Sequence, residues 1–259
     1  MSDGDFILET RNLVKEFEGF VAVSDVSIKV RRGHIHALIG PNGAGKTTVF
    51  NLLTKFIRPT RGQILLDGHD ITSADAAAIA RKGLVRSFQI SAVFPHMTVL
   101  QNVRVGLQRR LGNSYQFWRS DRSLRALNTR AIDLLESVGL SALADLTTRD
   151  LPYGQKRALE LATTLALEPK VMLLDEPTQG MGHEDVARVA ALIKRVSAGR
   201  TVLMVEHNMS VVSSIANTIT VMQRGSVIDE GPYEQVSRNP RVIEAYMGTT
   251  STELARPAA

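Results

Sequence analysis

Gly40-Pro41-Asn42-Gly43-Ala44-Gly45-Lys46-Thr47 follows the pattern G-x-x-x-x-G-K-[ST], a spacing suited to holding phosphate. Backbone N–H groups in such a loop converge on anionic oxygens, and a helix starting at its end adds a positive dipole end. Gly43 and Gly45 allow backbone conformations and close approach that a Cβ would block. Lys46 is then expected to reach the β- and γ-phosphates of a nucleotide. The Thr47 hydroxyl is expected to coordinate Mg²⁺, with Thr48 completing the binding run.

Val171-Met172-Leu173-Leu174-Asp175-Glu176 supplies a second half. Four apolar residues read as a buried strand whose C-terminal end delivers Asp175 to a metal, as ligands bind outside the carboxyl ends of parallel strands. Glu176 follows at once and is placed to polarise an attacking water as general base. Two acids ending a strand mean little alone; beside a phosphate loop they indicate nucleotide-dependent phosphoryl chemistry, a phosphohydrolase or a related kinase.

The elements that must position these groups alternate. Ile7–Thr10, Ala22–Val23 and Val26–Val30 read as short strands, and His34–Ile39 as an apolar strand running into the phosphate loop. Thr47–Phe56 has helical spacing, and Gly62–Gly68 reads as a hairpin strand closed by Asp67-Gly68. From about Val99 to Leu167 the pattern is mostly helical. Val171–Leu174 and Thr201–Val205 look like fully buried parallel strands flanking a helix at Asp185–Ser197. Ile219–Asp229 reads as a hairpin around Arg224-Gly225, followed by a helix ending near Met247. The small, polar run after Thr249 is expected to be a disordered tail. Alternation of this kind argues for an α/β fold with a mostly parallel sheet covered on both faces.

Composition bounds the rest. The chain has 259 residues, 44% apolar and 22% charged, enough for one large domain with a substantial core. It has no cysteine, which excludes a disulfide framework and thiolate zinc sites. The acidic start, Met1-Ser2-Asp3-Gly4-Asp5, does not look like a secretory signal, and no apolar run is long enough to span a bilayer. The net charge is +5, a weak argument for nucleic acid. Arg109, Arg110, Arg119, Arg122, Arg125 and Arg130 crowd one stretch after Arg104, either as a solvated helical face or as a surface near anionic lipid.

Leu151-Pro152-Tyr153-Gly154-Gln155 narrows the class. Here the chain resembles the ATP-binding cassette (ABC) family, whose signature reads L-S-G-G-Q at this place. Gln89 matches that family's Q-loop, His207 its switch histidine, and Phe17 the aromatic that stacks on adenine. Each would be ordinary alone; their order relative to Lys46 and Asp175 carries the resemblance, over about residues 6–248. The resemblance implies a P-loop NTPase (RecA-like) core with an antiparallel N-terminal β subdomain and an inserted α-helical lobe over about 89–167. It implies ATP and Mg²⁺, with Gln89 also near the metal. Two subunits would close head to tail, each ATP lying between one subunit's Lys46 loop and its partner's Tyr153-Gly154-Gln155 segment. His207 would contact the γ-phosphate, and Gln89 would communicate with the groove that receives a membrane permease subunit.

Val85–Gln89, Val93–Val103, Glu206–Met209 and Asn239–Gly248 are most similar to the longer ATPase of branched-chain amino acid (Liv-type) importers, as is the basic insertion from about Gln108 to Arg130. That implies a cytoplasmic-face peripheral subunit with a second ATPase (the same chain or a paralogue), permease subunits and, indirectly, a periplasmic solute-binding protein, with no nucleic acid. A lipid or lipopolysaccharide exporter ATPase shares much local sequence, and a non-transport cassette acting on DNA or ribosomes is a more distant alternative. Two departures bear on closure: Pro152 removes the signature serine hydroxyl, and Gly182 stands where many cassettes carry Asp or Asn.

Overall fold

The computed structural model describes residues 5–87, 93–108 and 127–247. The phosphate loop, the acidic pair and the signature segment fall inside these ranges. Gln89, the basic stretch from Arg109 to Arg125 and the tail from 248 onward lie outside the described residues.

A six-stranded sheet forms the centre, in the order β11-β10-β4-β9-β8-β7. Its members are β4 (Ile35–Ile39), β7 (Leu84–Ser87), β8 (Val171–Asp175), β9 (Thr201–Val205), β10 (Thr218–Gln223) and β11 (Ser226–Gly231). All neighbours are parallel except β10 and β11, which form a hairpin through Arg224 and Gly225, both at positive φ. Every residue of β4, β8 and β9 is buried, because both faces of the sheet are covered.

The strands' alternation divides the core in two. Ala37, Ile39, Met172, Leu174, Val202 and Met204 face one cluster, with helices α3 (Val99–Gln108), α4 (Asn128–Ser137), α5 (Tyr153–Ala166), α6 (His183–Val196) and α7 (Met209–Ile215). Leu38, Val171, Leu173, Leu203 and Val205 face the other, with helix α1 (Lys46–Leu53), helix α2 (Ala76–Arg81) and a second sheet. That period of two is what lets one set of strands serve two cores. Two short helices, α8 (Tyr233–Val236) and α9 (Pro240–Met247), end the described chain.

The second sheet is antiparallel: β1 (Phe6–Phe17), β2 (Phe20–Val26), β3 (Lys29–Arg31), β5 (Arg61–Leu66) and β6 (His69–Asp70). The Asp67-Gly68 turn is present as expected, with φ of 54° and 75°. β1 is far longer than its apolar start indicates, since it pairs along its length with β2, β3 and β5. The expected single strand Val26–Val30 is broken. Thr10 Oγ1 donates to the Val26 carbonyl at 3.0 Å and accepts from the Ile28 N–H at 2.9 Å, so a side chain replaces the regular ladder there. Helix α1 stops at Leu53 and not at Phe56, because the Thr54 hydroxyl bonds the Phe50 carbonyl and Lys55 turns to φ 62°. Among the described residues no helix is long and apolar enough to cross a membrane.

Candidate functional site

The loop from Gly40 to Gly45 links β4 to α1, and its glycines are required by backbone geometry; at Gly43 the reason is its φ of 78° alone, since a Cβ there would meet nothing within 4 Å, contrary to the close approach expected. A Cβ on Gly40 would meet the Met222 carbonyl oxygen at 2.2 Å, and one on Gly45 the Ala22 carbonyl oxygen at 2.6 Å. Gly45 also sits at φ 98° as the N-cap of α1, with no side chain capping the helix. The first-turn N–H groups of α1 therefore have no side-chain competitor for an anion.

Lys46 is buried, and its Nζ donates to the Gly40 carbonyl at 2.6 Å and the Pro41 carbonyl at 3.0 Å. Burial pushes its ammonium below the usual lysine range, against the opposing pull of Glu176 and Asp175. One cation and two carboxylates thus converge where β4 and β8 end. Asn42, Gly43 and Thr47 are exposed at the loop's surface, Pro41 and Thr48 half-buried, and Ala44 is buried beneath.

Asp175 ends β8, buried, and its Oδ2 accepts from the Arg86 guanidinium. Glu176 stands at φ 44°, a conformation costly for a residue with a Cβ and concentrated at functional sites. Its N–H donates to the Val205 carbonyl at 3.0 Å, fixing it to the end of β9. His207 is exposed just beyond that end.

The signature segment opens α5 with Pro152 as N-cap and no side-chain cap bond. Tyr153 is exposed, and its hydroxyl donates to the Gln179 carbonyl at 3.3 Å, tying the segment to the loop after Glu176. Gly154 and Gln155 line a groove of about 400 Å³ between α5 and α6, shared with Asp185 and Arg188. Gly182 is the uncapped N-cap of α6. Phe17, at the end of β1, is 42% exposed and so not a core residue; the Lys15 ammonium lies 4.7 Å from its ring centre.

Three residues were not singled out by sequence reasoning. Arg86 pairs with Asp175. Arg157, on α5, reaches the carbonyls of Pro177 at 3.1 Å, Glu176 at 3.2 Å and Asp175 at 3.4 Å while pairing with Glu160. Glu206 is fully buried between the loop after Glu176 and His207. Only Glu206 left a signal, a charge ending an apolar strand just before the histidine. Arg104, which precedes the basic stretch, is buried, and Arg130 within it lies 3.8 Å from Glu168.

A glycine loop between a parallel strand and a helix, with an acidic pair ending the next strand but one, defines a P-loop nucleoside triphosphatase. The model of the ABC transporter family matches residues 23–179, and that of the branched-chain amino acid ATP-binding cassette transporter matches 227–251. The chain is 40% identical over 252 residues to the high-affinity branched-chain amino acid transport ATP-binding protein BraF of Pseudomonas aeruginosa, covering 93% of this chain and 98% of that one. It is 36% identical over 249 residues to the corresponding LivG protein of Escherichia coli K12, with the same coverage. An ATP-binding cassette of an ABC transporter crystallised in its ADP conformation superposes with a TM-score of 0.82 at 32% identity, over 94% of this chain and 99% of that one. A nucleotide-free cassette gives 0.81 at 30%, over 93% and 98%. This chain belongs to the ABC transporter family and is an ATP-binding, ATP-hydrolysing subunit that drives transport.

Proposed function

We propose that the chain powers import of branched-chain or related amino acids, closing head to tail with a second ATPase subunit around ATP. The observation that carries the chemistry is Lys46, buried against its own loop carbonyls and within the field of both Asp175 and Glu176. The match of residues 227–251 to the branched-chain cassette model supports the cargo class.

In this reading one cassette domain spans residues 6–248, with the helical lobe at about 89–167. Phe17 stacks on adenine, and the Gly40–Gly45 backbone surrounds the phosphates with Lys46, Thr47 and Thr48. The partner's copy of Tyr153-Gly154-Gln155 caps the γ-phosphate. An ATP phosphate displaces the two loop carbonyls from Lys46, which strengthens as a charged contact in a buried site. Glu176 orients and deprotonates the attacking water, and His207 holds the γ-phosphate.

Asp175 and Thr47, with Gln89, are assigned to Mg²⁺. The donor set fits: Mg²⁺ dehydrates reluctantly and takes one or two protein oxygens beside phosphate and water. When bound, Mg²⁺ would neutralise charge developing across the β- and γ-phosphates. The partners are permease subunits at the cytoplasmic face of the membrane, where the chain sits peripherally, and through them a periplasmic solute-binding protein; nucleic acid has no part in it.

Glu176→Gln, given ATP and Mg²⁺, should double its molar mass by light scattering, with no change in ADP. A persistent monomer would count against the sandwich, and retained turnover against Glu176 as base. The cargo is tested separately: cells lacking this chain should lose uptake of labelled leucine, isoleucine or valine. Unchanged uptake of all three would reject the branched-chain assignment.

A further inference from the structure

One fully buried carboxylate joins the loop after Glu176 to the loop bearing His207. Glu206 has no exposed surface. Its Oε1 accepts the Thr178 N–H at 3.0 Å and also the Thr178 hydroxyl. Its Oε2 accepts the N–H groups of His207 at 2.9 Å and Asn208 at 3.1 Å. Thr178 lies two residues beyond Glu176 and is itself buried. Asn208 in turn caps α7, accepting from Ser210 and Val211 with the same side chain. A charge buried to this degree is tolerated only when its oxygens are filled with hydrogen bonds, and here each oxygen takes two. A core-filling residue would need none of these contacts.

We propose that Glu206 is a positioning residue for ATP hydrolysis: it fixes the backbone of His207 and the turn at Thr178 as one unit. Displacing the loop after Glu176 then displaces His207 with it. This rests on the reading of His207 as the γ-phosphate contact.

The decisive variant is Glu206→Gln in the full-length chain. The amide keeps the shape but offers one acceptor oxygen, so its NH₂ must face either the Thr178 donors or the His207 and Asn208 donors. The expected result is a fall in kcat of about ten-fold with KM for ATP within about two-fold, because the Lys46 loop is untouched. In a His207→Ala background the same substitution should cost less than about two-fold, since residues acting through one unit are not additive. Thr178→Val, which deletes only the hydroxyl donor, should give a smaller fall in kcat in the same direction and serves if Glu206→Gln fails to fold. Without nucleotide, the His207 imidazole resonance should move in Glu206→Gln. Wild-type kcat in a folded Glu206→Gln, or an undiminished loss on top of His207→Ala, would overturn the proposal. Wild-type turnover in His207→Ala alone would instead remove the assigned role of His207; an unmoved imidazole resonance would then overturn the positioning by Glu206 as well.

Discussion

Arg86 on β7 pairs with Asp175 at the end of the adjacent strand β8, so the carboxylate assigned to Mg²⁺ is already neutralised by the protein's own cation. The same guanidinium donates to Asn51 Oδ1 at 2.8 Å and lies within 6 Å of the Phe50 and Phe56 ring centres. Both partners are nearly buried, at 11% and 5% side-chain exposure. Arg86→Met removes the cation and leaves Asp175 buried without it, which should cost about 3 kcal/mol of stability. Mg²⁺ with ATP should restore more of that loss than it adds to the wild type, because a divalent cation held by Asp175, as proposed, would replace the guanidinium's charge. Thermal melts with and without Mg²⁺ and ATP measure both; a variant as stable as wild type without ligand would show that the pair contributes nothing.

Gly45 is hemmed in by backbone. Its φ of 98° is strained for any L side chain, and the Ala22 carbonyl oxygen stands 2.6 Å from where a Cβ would be. A carbonyl within a sheet cannot swing aside as a lysine tip can. Gly45→Ala should therefore shift the start of α1 and weaken binding of a fluorescent ATP analogue at least about ten-fold, the equivalent of about 1.4 kcal/mol within the usual cost of such strain. Undiminished affinity would mean that the loop relaxes without loss of its N–H geometry.

Arg157 binds the helical lobe to the acidic pair. Its planar fork spans three successive carbonyls, from Asp175 to Pro177, while pairing with buried Glu160. Arg157→Lys keeps the charge but not the fork, and urea denaturation should show a loss of about 1–3 kcal/mol. Arg157→Met should cost more, about 3–5 kcal/mol, because it strands Glu160. Adding Glu160→Met to that variant should recover part of the loss. Failure of the double substitution to recover any would mean that the carbonyl contacts, and not the ion pair, dominate.

The parts legible in the sequence are those that act through neighbours in the chain. Gly40–Thr47 and Val171–Glu176 are contiguous, and full burial writes β4, β8 and β9 as apolar runs. Asn12, Lys15 and Glu16 interrupt the apolar alternation along β1, so its full length is not written in its own pattern but imposed by three partner strands. Thr10 has the pattern of an ordinary strand residue, yet its hydroxyl replaces ladder bonds at Val26 and Ile28. Arg86, Arg157 and Glu206 act on groups 89, 20 and 28 residues away, a relation that periodicity does not encode.

His36 makes stability pH-dependent away from the site. It is buried in β4, and burial, with a smaller push from His34, lowers its pKa from 6.5 to about 4. The Thr220 hydroxyl donates to Glu230 at 2.6 Å, so its lone pair is left to accept from His36 Nε2–H, also at 2.6 Å, which fixes the neutral tautomer. Because the folded value lies below the unfolded one, the neutral ring's advantage is complete above about pH 6.5 and is lost as pH falls towards 4. Lowering it from 6.5 to about 4 corresponds to about 3 kcal/mol. Glu230, held above its usual range chiefly by burial and drawn down by Thr220 and Lys29, works in the opposite direction, since protonating it favours the fold. Over the pH range just above the ordinary carboxylate value, its titration should therefore offset part of the His36 slope. Urea midpoints for wild type and His36→Gln across pH 4–7 test this: the variant, with no ring to protonate, should lose the fall between 6.5 and 4. Parallel curves for the two proteins would place the acid sensitivity elsewhere.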